Sequence, residues 1–138
     1  LAGLRVGYAL AAPSTIGALR ASGLPYPVGG LAAAIALEAL GDDEALARSV
    51  AFAREARGRI SASLAALGAE LCPSEANFVF ARLRDARGFA SALADRGIAV
   101  RTWPAESELA DAVRVGCPPD RRSLERLEAA IAAAGGFA

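Results

Sequence analysis

The 138 residues are 54% hydrophobic and 22% charged, which excludes a disordered chain and suffices for a core of domain size. Fifteen basic residues balance fifteen acidic ones, so no net field draws the protein to nucleic acid or to an anionic membrane. Lys, His and Met are absent and every basic residue is Arg, which removes the amine nucleophile and the commonest general base and metal ligand.

Val6, Tyr8 and Leu10 recur at period two and predict a strand over residues 4–10. Pro13 and Ser14 open a short helix to about residue 21, closed by Gly23. Leu24-Pro25-Tyr26-Pro27 is extended, because each proline disfavours the helical conformation in its predecessor. A second helix over residues 30–40 is apolar almost all round, which predicts burial on most sides. Asp42, Asp43 and Glu44 suit the positive end of a third helix. Leu46, Val50, Ala53, Ala56, Ile60, Leu64 and Leu67 then form one apolar stripe over about seven turns. Arg48, Arg54, Arg57 and Arg59 fall off the stripe, on a solvated face, and Gly68 ends the helix.

Strands follow over residues 69–72 and 77–83, then a helix capped by Asp85 and stopped at Gly97. Further strands are predicted over 98–102 and 112–115, and Pro118-Pro119-Asp120 starts a last helix carrying Leu124, Leu127 and Ile131. The class is α/β, with helices over a small and largely antiparallel sheet, since most of these connections are too short for crossovers. Residues 43–138 read as a small α/β domain that includes the long helix. Residues 1–42 hold one strand with no sheet partner and read as the remnant of a larger domain. The missing Met leads to the expectation that a segment precedes Leu1. Cys72 and Cys117 are expected as buried thiols of a cytoplasmic protein; no secretory leader or membrane span is apparent.

Gly3-Leu4-Arg5-Val6-Gly7-Tyr8 resembles the element that follows the cofactor lysine in fold-type-I pyridoxal phosphate enzymes, where a Ser-Lys pair precedes Gly-x-Arg-x-Gly-Tyr. Pro25-Tyr26-Pro27-Val28 before an apolar helix is similar to the histidinol-phosphate aminotransferase branch of that family. So are Pro73-Ser74-Glu75-Ala76-Asn77-Phe78, Gly97-Ile98-Ala99-Val100-Arg101 and Val113-Arg114-Val115-Gly116, which follow in the same order.

The resemblance implies an aminotransferase that uses pyridoxal 5'-phosphate, with the C-terminal small domain and part of the large one present. The cofactor lysine is expected just upstream of Leu1, so the segment itself holds no catalytic residue and is expected to be inactive. Arg5 would bind the cofactor phosphate, for which a planar guanidinium suits a dianion. Arg114 would bind the substrate's carboxylate or phosphate; an Arg between Val113 and Val115 near a strand end is costly unless an anion meets it. Arg101 would help hold a substrate phosphate. The implied partners are an amino donor, a 2-oxo acid and a second copy in a homodimer, with no metal. Histidinol phosphate and histidine biosynthesis come first. A threonine-phosphate decarboxylase or an aromatic aminotransferase of the same fold stays open, as does a non-catalytic regulatory or binding domain. Tyr8 and Tyr26 read as packing, Asn77 as a local backbone partner, and Glu75, Asp85 and Asp95 as caps and solvated groups. Cys117 stands where the family carries a small hydroxyl residue, and a thiol is the poorer donor.

Overall fold

The computed structural model describes residues 2–135; Leu1 and residues 136–138, at the ends of the two expected domains, lie outside them. The chain divides into two compact units, Leu1–Leu46 and Ala47–Ala138. In the first, a 3-10 turn over Ala2–Leu4 leads into an irregular run, then helix α1 (Pro13–Ser22) and helix α2 (Gly30–Leu40). The strand expected over residues 4–10 does not form: Leu4 ends the 3-10 turn, Arg5 has φ +54°, and residues 5–10 join no ladder. A strand exists through its ladder, and no second strand runs beside it among the described residues. Helix α2 keeps its expected bounds but not its expected burial: none of its residues is buried, and Leu31 and Leu37 are 77% and 69% exposed. Its apolar surface is only half-covered among the described residues, at Ala32, Ala33, Ile35 and Ala36.

Helix α3 (Asp43–Ala66) begins where the Asp42 side chain accepts the Ala45 backbone N–H at 2.8 Å. It starts in the first unit and ends in the second. Its apolar stripe is buried only in the later turns, at Ala56, Ile60 and Leu64, while Leu46 is 61% exposed. Gly68, with φ +82°, turns the chain out of the helix in the left-handed conformation that glycine adopts freely.

Strands β1 (Glu70–Cys72), β2 (Phe78–Arg82) and β3 (Ala112–Gly116) form one antiparallel sheet in that order. Helix α4 (Ala86–Ala94) is capped by the Asp85 carboxylate, which accepts from Gly88 N at 2.8 Å. Helix α5 (Arg121–Ala134) is capped by Asp120, which accepts from both the backbone N–H and the hydroxyl of Ser123. The alternation of β2 and β3 sends Val79, Ala81, Val113 and Val115 to one face. There they pack with Ile60 and Leu64 of α3, Phe89 and Leu93 of α4, and Leu124 and Ile131 of α5. The second unit is thus a two-layer sandwich, with three helices on one face of the sheet and the other face open.

Two expectations are corrected in this unit. Residues 98–102 make no strand; they meet β3 only in an isolated antiparallel bridge between Arg101 and Arg114. Cys72 is exposed rather than buried, because β1 is a short edge strand, and Cys117 is half-buried; neither forms a disulfide. Arg57 and Arg59 also depart from a freely solvated face. Arg57 donates to the Ala76 carbonyl at 2.8 Å, and Arg59 grips Glu128 of α5 through Nε at 2.8 Å and through a second, shorter contact.

Candidate functional site

The open face of the sheet gathers the chemistry. Because β3 alternates, Arg114 points away from the core that holds Val113 and Val115. Phe80 lies directly across from it on β2, and Phe78 lies across from Gly116. On the other edge, Arg101 N donates to the Arg114 carbonyl at 3.1 Å, and Arg114 N returns a bond to the Arg101 carbonyl at 2.9 Å. That double exchange is a hydrogen-bonded antiparallel pair, whose two side chains stand on the same face, roughly 5.5 Å apart at Cα. Like charges directly opposed in this way repel.

Several other arginines answer their charge with carboxylates. Arg59 pairs with Glu128 and Glu55, Arg121 with Glu55 at 2.9 Å, Arg82 with Asp111, and Arg57 with Glu75 at 3.3 Å. Hydrogen bonding to Glu128 raises the Arg59 pKa above its ordinary value, while the hydrogen bond from Arg121 holds the Glu55 carboxyl below its own. Arg101 and Arg114 have no carboxylate partner among the described residues. Each lies over an aromatic ring instead. The Arg114 guanidinium carbon is 5.2 Å from the Phe78 ring centre, and that of Arg101 is 6.0 Å from Trp103. Trp103 in turn meets Phe80 edge to face, with centroids 5.5 Å apart.

Arg101 and Arg114 line a shallow recess of about 440 Å³ with Asn77, Val100, Gly116 and Cys117. Cys117 does not aim at it as a donor: its thiol contacts the Ala53 carbonyl at 3.7 Å. Burial pushes its pKa up, against the opposing charge of Arg57, so the thiol stays protonated at neutral pH. The local bonding expected of Asn77 belongs to Ser74, whose hydroxyl donates to the Phe78 carbonyl at 2.8 Å and accepts from Ala76 N. Glu75, read as solvated, is exposed and pairs with Arg57. The sequence reading missed Phe78 and Trp103. Period-two alternation along β2 was the available signal for Phe78, since it puts that ring on the face of Arg114.

Arg5 belongs to the first unit and is exposed. Its φ is +54°, the only positive value at a non-glycine residue among the described residues. A side chain in that region carries strain of about 1 kcal/mol, and such strain concentrates at functional positions. It too has no carboxylate partner among the described residues. Tyr8 and Tyr26 are 76% and 93% exposed, so neither packs as expected.

Comparison with known proteins identifies the family. The family model for aminotransferase class I and II matches residues 1–131. The chain belongs to that family. It is 47% identical over 106 residues to the histidinol-phosphate aminotransferase of Gluconacetobacter diazotrophicus, covering 73% of this chain and 30% of that protein. It is 41% identical over 128 residues to the aromatic amino acid aminotransferase of Mycobacterium marinum, covering 91% and 34%. Among solved structures, histidinol-phosphate aminotransferase from Sinorhizobium meliloti in complex with pyridoxal-5'-phosphate matches with a TM-score of 0.76 at 30% identity, over 97% of this chain and 37% of that one. A putative histidinol-phosphate aminotransferase from Erwinia carotovora matches at 0.82 and 23% identity, which shows the shared fold. The chain spans about a third of the length of the relatives it matches.

Proposed function

We propose that this chain belongs to a pyridoxal phosphate-dependent aminotransferase whose amino donor carries a phosphate, histidinol phosphate foremost, with a 2-oxo acid as acceptor. The observation that carries the reading is the Arg101–Arg114 pair: two permanent cations side by side on an open sheet face, without a carboxylate. One guanidinium suffices for a carboxylate, whereas a phosphate monoester at neutral pH brings close to two charges and three acceptor oxygens. Neutralising the pair would relieve the repulsion across the bridge, so the gain on binding is larger than for an isolated Arg.

Arg5 fits the cofactor's phosphate, as an exposed guanidinium on a strained backbone with no carboxylate partner among the described residues. The cofactor, when bound, supplies the electron sink for moving an amino group. The chain's own residues anchor: Arg5 holds the cofactor phosphate, Arg114 and Arg101 hold the substrate anion, and the Phe78 and Phe80 rings flank them with apolar surface. With no Lys, the 138 residues by themselves are expected to turn over no amine donor. A cytoplasmic homodimer serving histidine biosynthesis completes the reading.

A second reading, transamination of aromatic amino acids, is favoured by the likeness to the Mycobacterium marinum enzyme and by the rings beside Arg114. One experiment separates the two. The gene product containing this sequence, purified with pyridoxal phosphate, is mixed with histidinol phosphate and its visible absorbance followed. Donor-dependent loss of the cofactor band, reversed by 2-oxoglutarate, supports the phosphate reading. A response to phenylalanine or tyrosine alone replaces it with the aromatic one, and no response to any amine leaves a non-catalytic role.

A further inference from the structure

We propose that Trp103 is a positioning residue for the anion site: its ring, braced by Phe80, holds the Arg101 guanidinium beside Arg114 with its N–H donors free. The inference rests on the reading of Arg101 and Arg114 as anion ligands and adds what keeps two like charges together when no anion is bound. Arg101 is anchored through its backbone by the bridge to Arg114, but its side chain is exposed and has no ion-pair partner among the described residues. Repulsion from Arg114 and the freedom of a long side chain both favour swinging away into solvent.

The ring of Trp103 lies 6.0 Å from the guanidinium carbon, and its edge-to-face contact with Phe80 ties it to the middle of β2. Contact with a ring face engages the guanidinium through its π surface, whereas a carboxylate partner would occupy its in-plane donors. The donors stay available for a ligand. Phe78 serves Arg114 in the same manner at 5.2 Å. Trp103 therefore biases the site toward anions that need both cations, phosphate monoesters above carboxylates.

The test titrates the full chain with inorganic phosphate at pH 8 and constant ionic strength, following the backbone amide resonances of residues 101 and 114, with acetate as the singly charged comparison. Trp103→Leu is expected to weaken phosphate binding about three-fold, a typical effect of one exposed cation–ring contact, and acetate binding less. Trp103→Phe, which restores a ring face, is expected to recover most of the loss. If the Leu variant does not fold, Trp103→Met keeps the bulk without the ring and takes its place. Arg114→Ala, measured alongside, reads the anion site itself. Should Arg114→Ala abolish binding while Trp103→Leu matches the parent, or should Phe do no better than Leu, the role of Trp103 is overturned and the anion site stands. Should the parent bind no phosphate, or Arg114→Ala bind as the parent does, both fall together.

Discussion

Three arginines stand apart in this chain by their setting: Arg101 and Arg114 face each other across a bridge, and Arg5 has a positive φ. Arg59, Arg82 and Arg121 hold carboxylates, while Arg5, Arg101 and Arg114 do not. The setting is a physical criterion, because an unanswered cation beside a like cation is a standing cost that an anion removes, and backbone strain such as that of Arg5 clusters at functional positions. Sequence alone picked these three through motif resemblance, but it could not pair Arg101 with Arg114, since their neighbourhood is created by strand register. For Arg5 the criterion yields a prediction. In the gene product loaded with pyridoxal phosphate, Arg5→Lys keeps the charge and loses the planar fork, so cofactor retention on dialysis should fall about ten-fold, the worth of one charge-assisted bond. Retention equal to the parent's would remove Arg5 from the cofactor site.

Among the elements, what was legible was local. Helices α4 and α5 announce themselves through Asp85 and Asp120 at their starts and through apolar residues at helical spacing; the Asp85 cap is made as read, and Asp120 proves to be a cap as well. The strands of the sheet follow from alternation, and their antiparallel order from short connections. What failed was relational. Residues 4–10 and 98–102 have strand-like composition, yet a ladder needs a neighbour that composition does not name. The cap on α5 also makes a pH prediction. The Ser123 backbone N–H, and then its hydroxyl, hold the Asp120 carboxyl below its ordinary value of 3.8. A group whose folded pKa is depressed stabilises fully above its unfolded value, and that contribution is lost as pH falls through the folded one. Asp120→Asn keeps a capping oxygen but cannot titrate. Thermal unfolding of the variant should therefore lose less stability than the parent between pH 4 and pH 2, which are bounds set roughly by the ordinary aspartate range. Parallel curves would mean the cap carboxylate is uncoupled from folding.

At the scale of the molecule, the two units differ in kind. The second has a core closed by three helices over one sheet face; the first has no buried residue in either α1 or α2. Stability therefore resides in the second unit, and substitutions along the single helix α3 should divide accordingly. Ile60→Ala empties a fully buried position and is expected to cost about 2–5 kcal/mol by denaturant titration, whereas Val50→Ala, on an exposed earlier turn, should cost about 0.5 kcal/mol or less. Equal losses would mean that Val50 is covered in solution. The brevity of β1 carries a different consequence. A sheet with a free outer edge invites a stray strand from another chain, and sheets of this size often guard that edge with charge or a covering loop. Here the outer strand lasts three residues and runs straight into Pro73, which has no N–H to offer. An intruding strand would find too few free backbone groups to form a ladder, so the molecule resists amyloid-like stacking along this edge by having almost nothing there to copy.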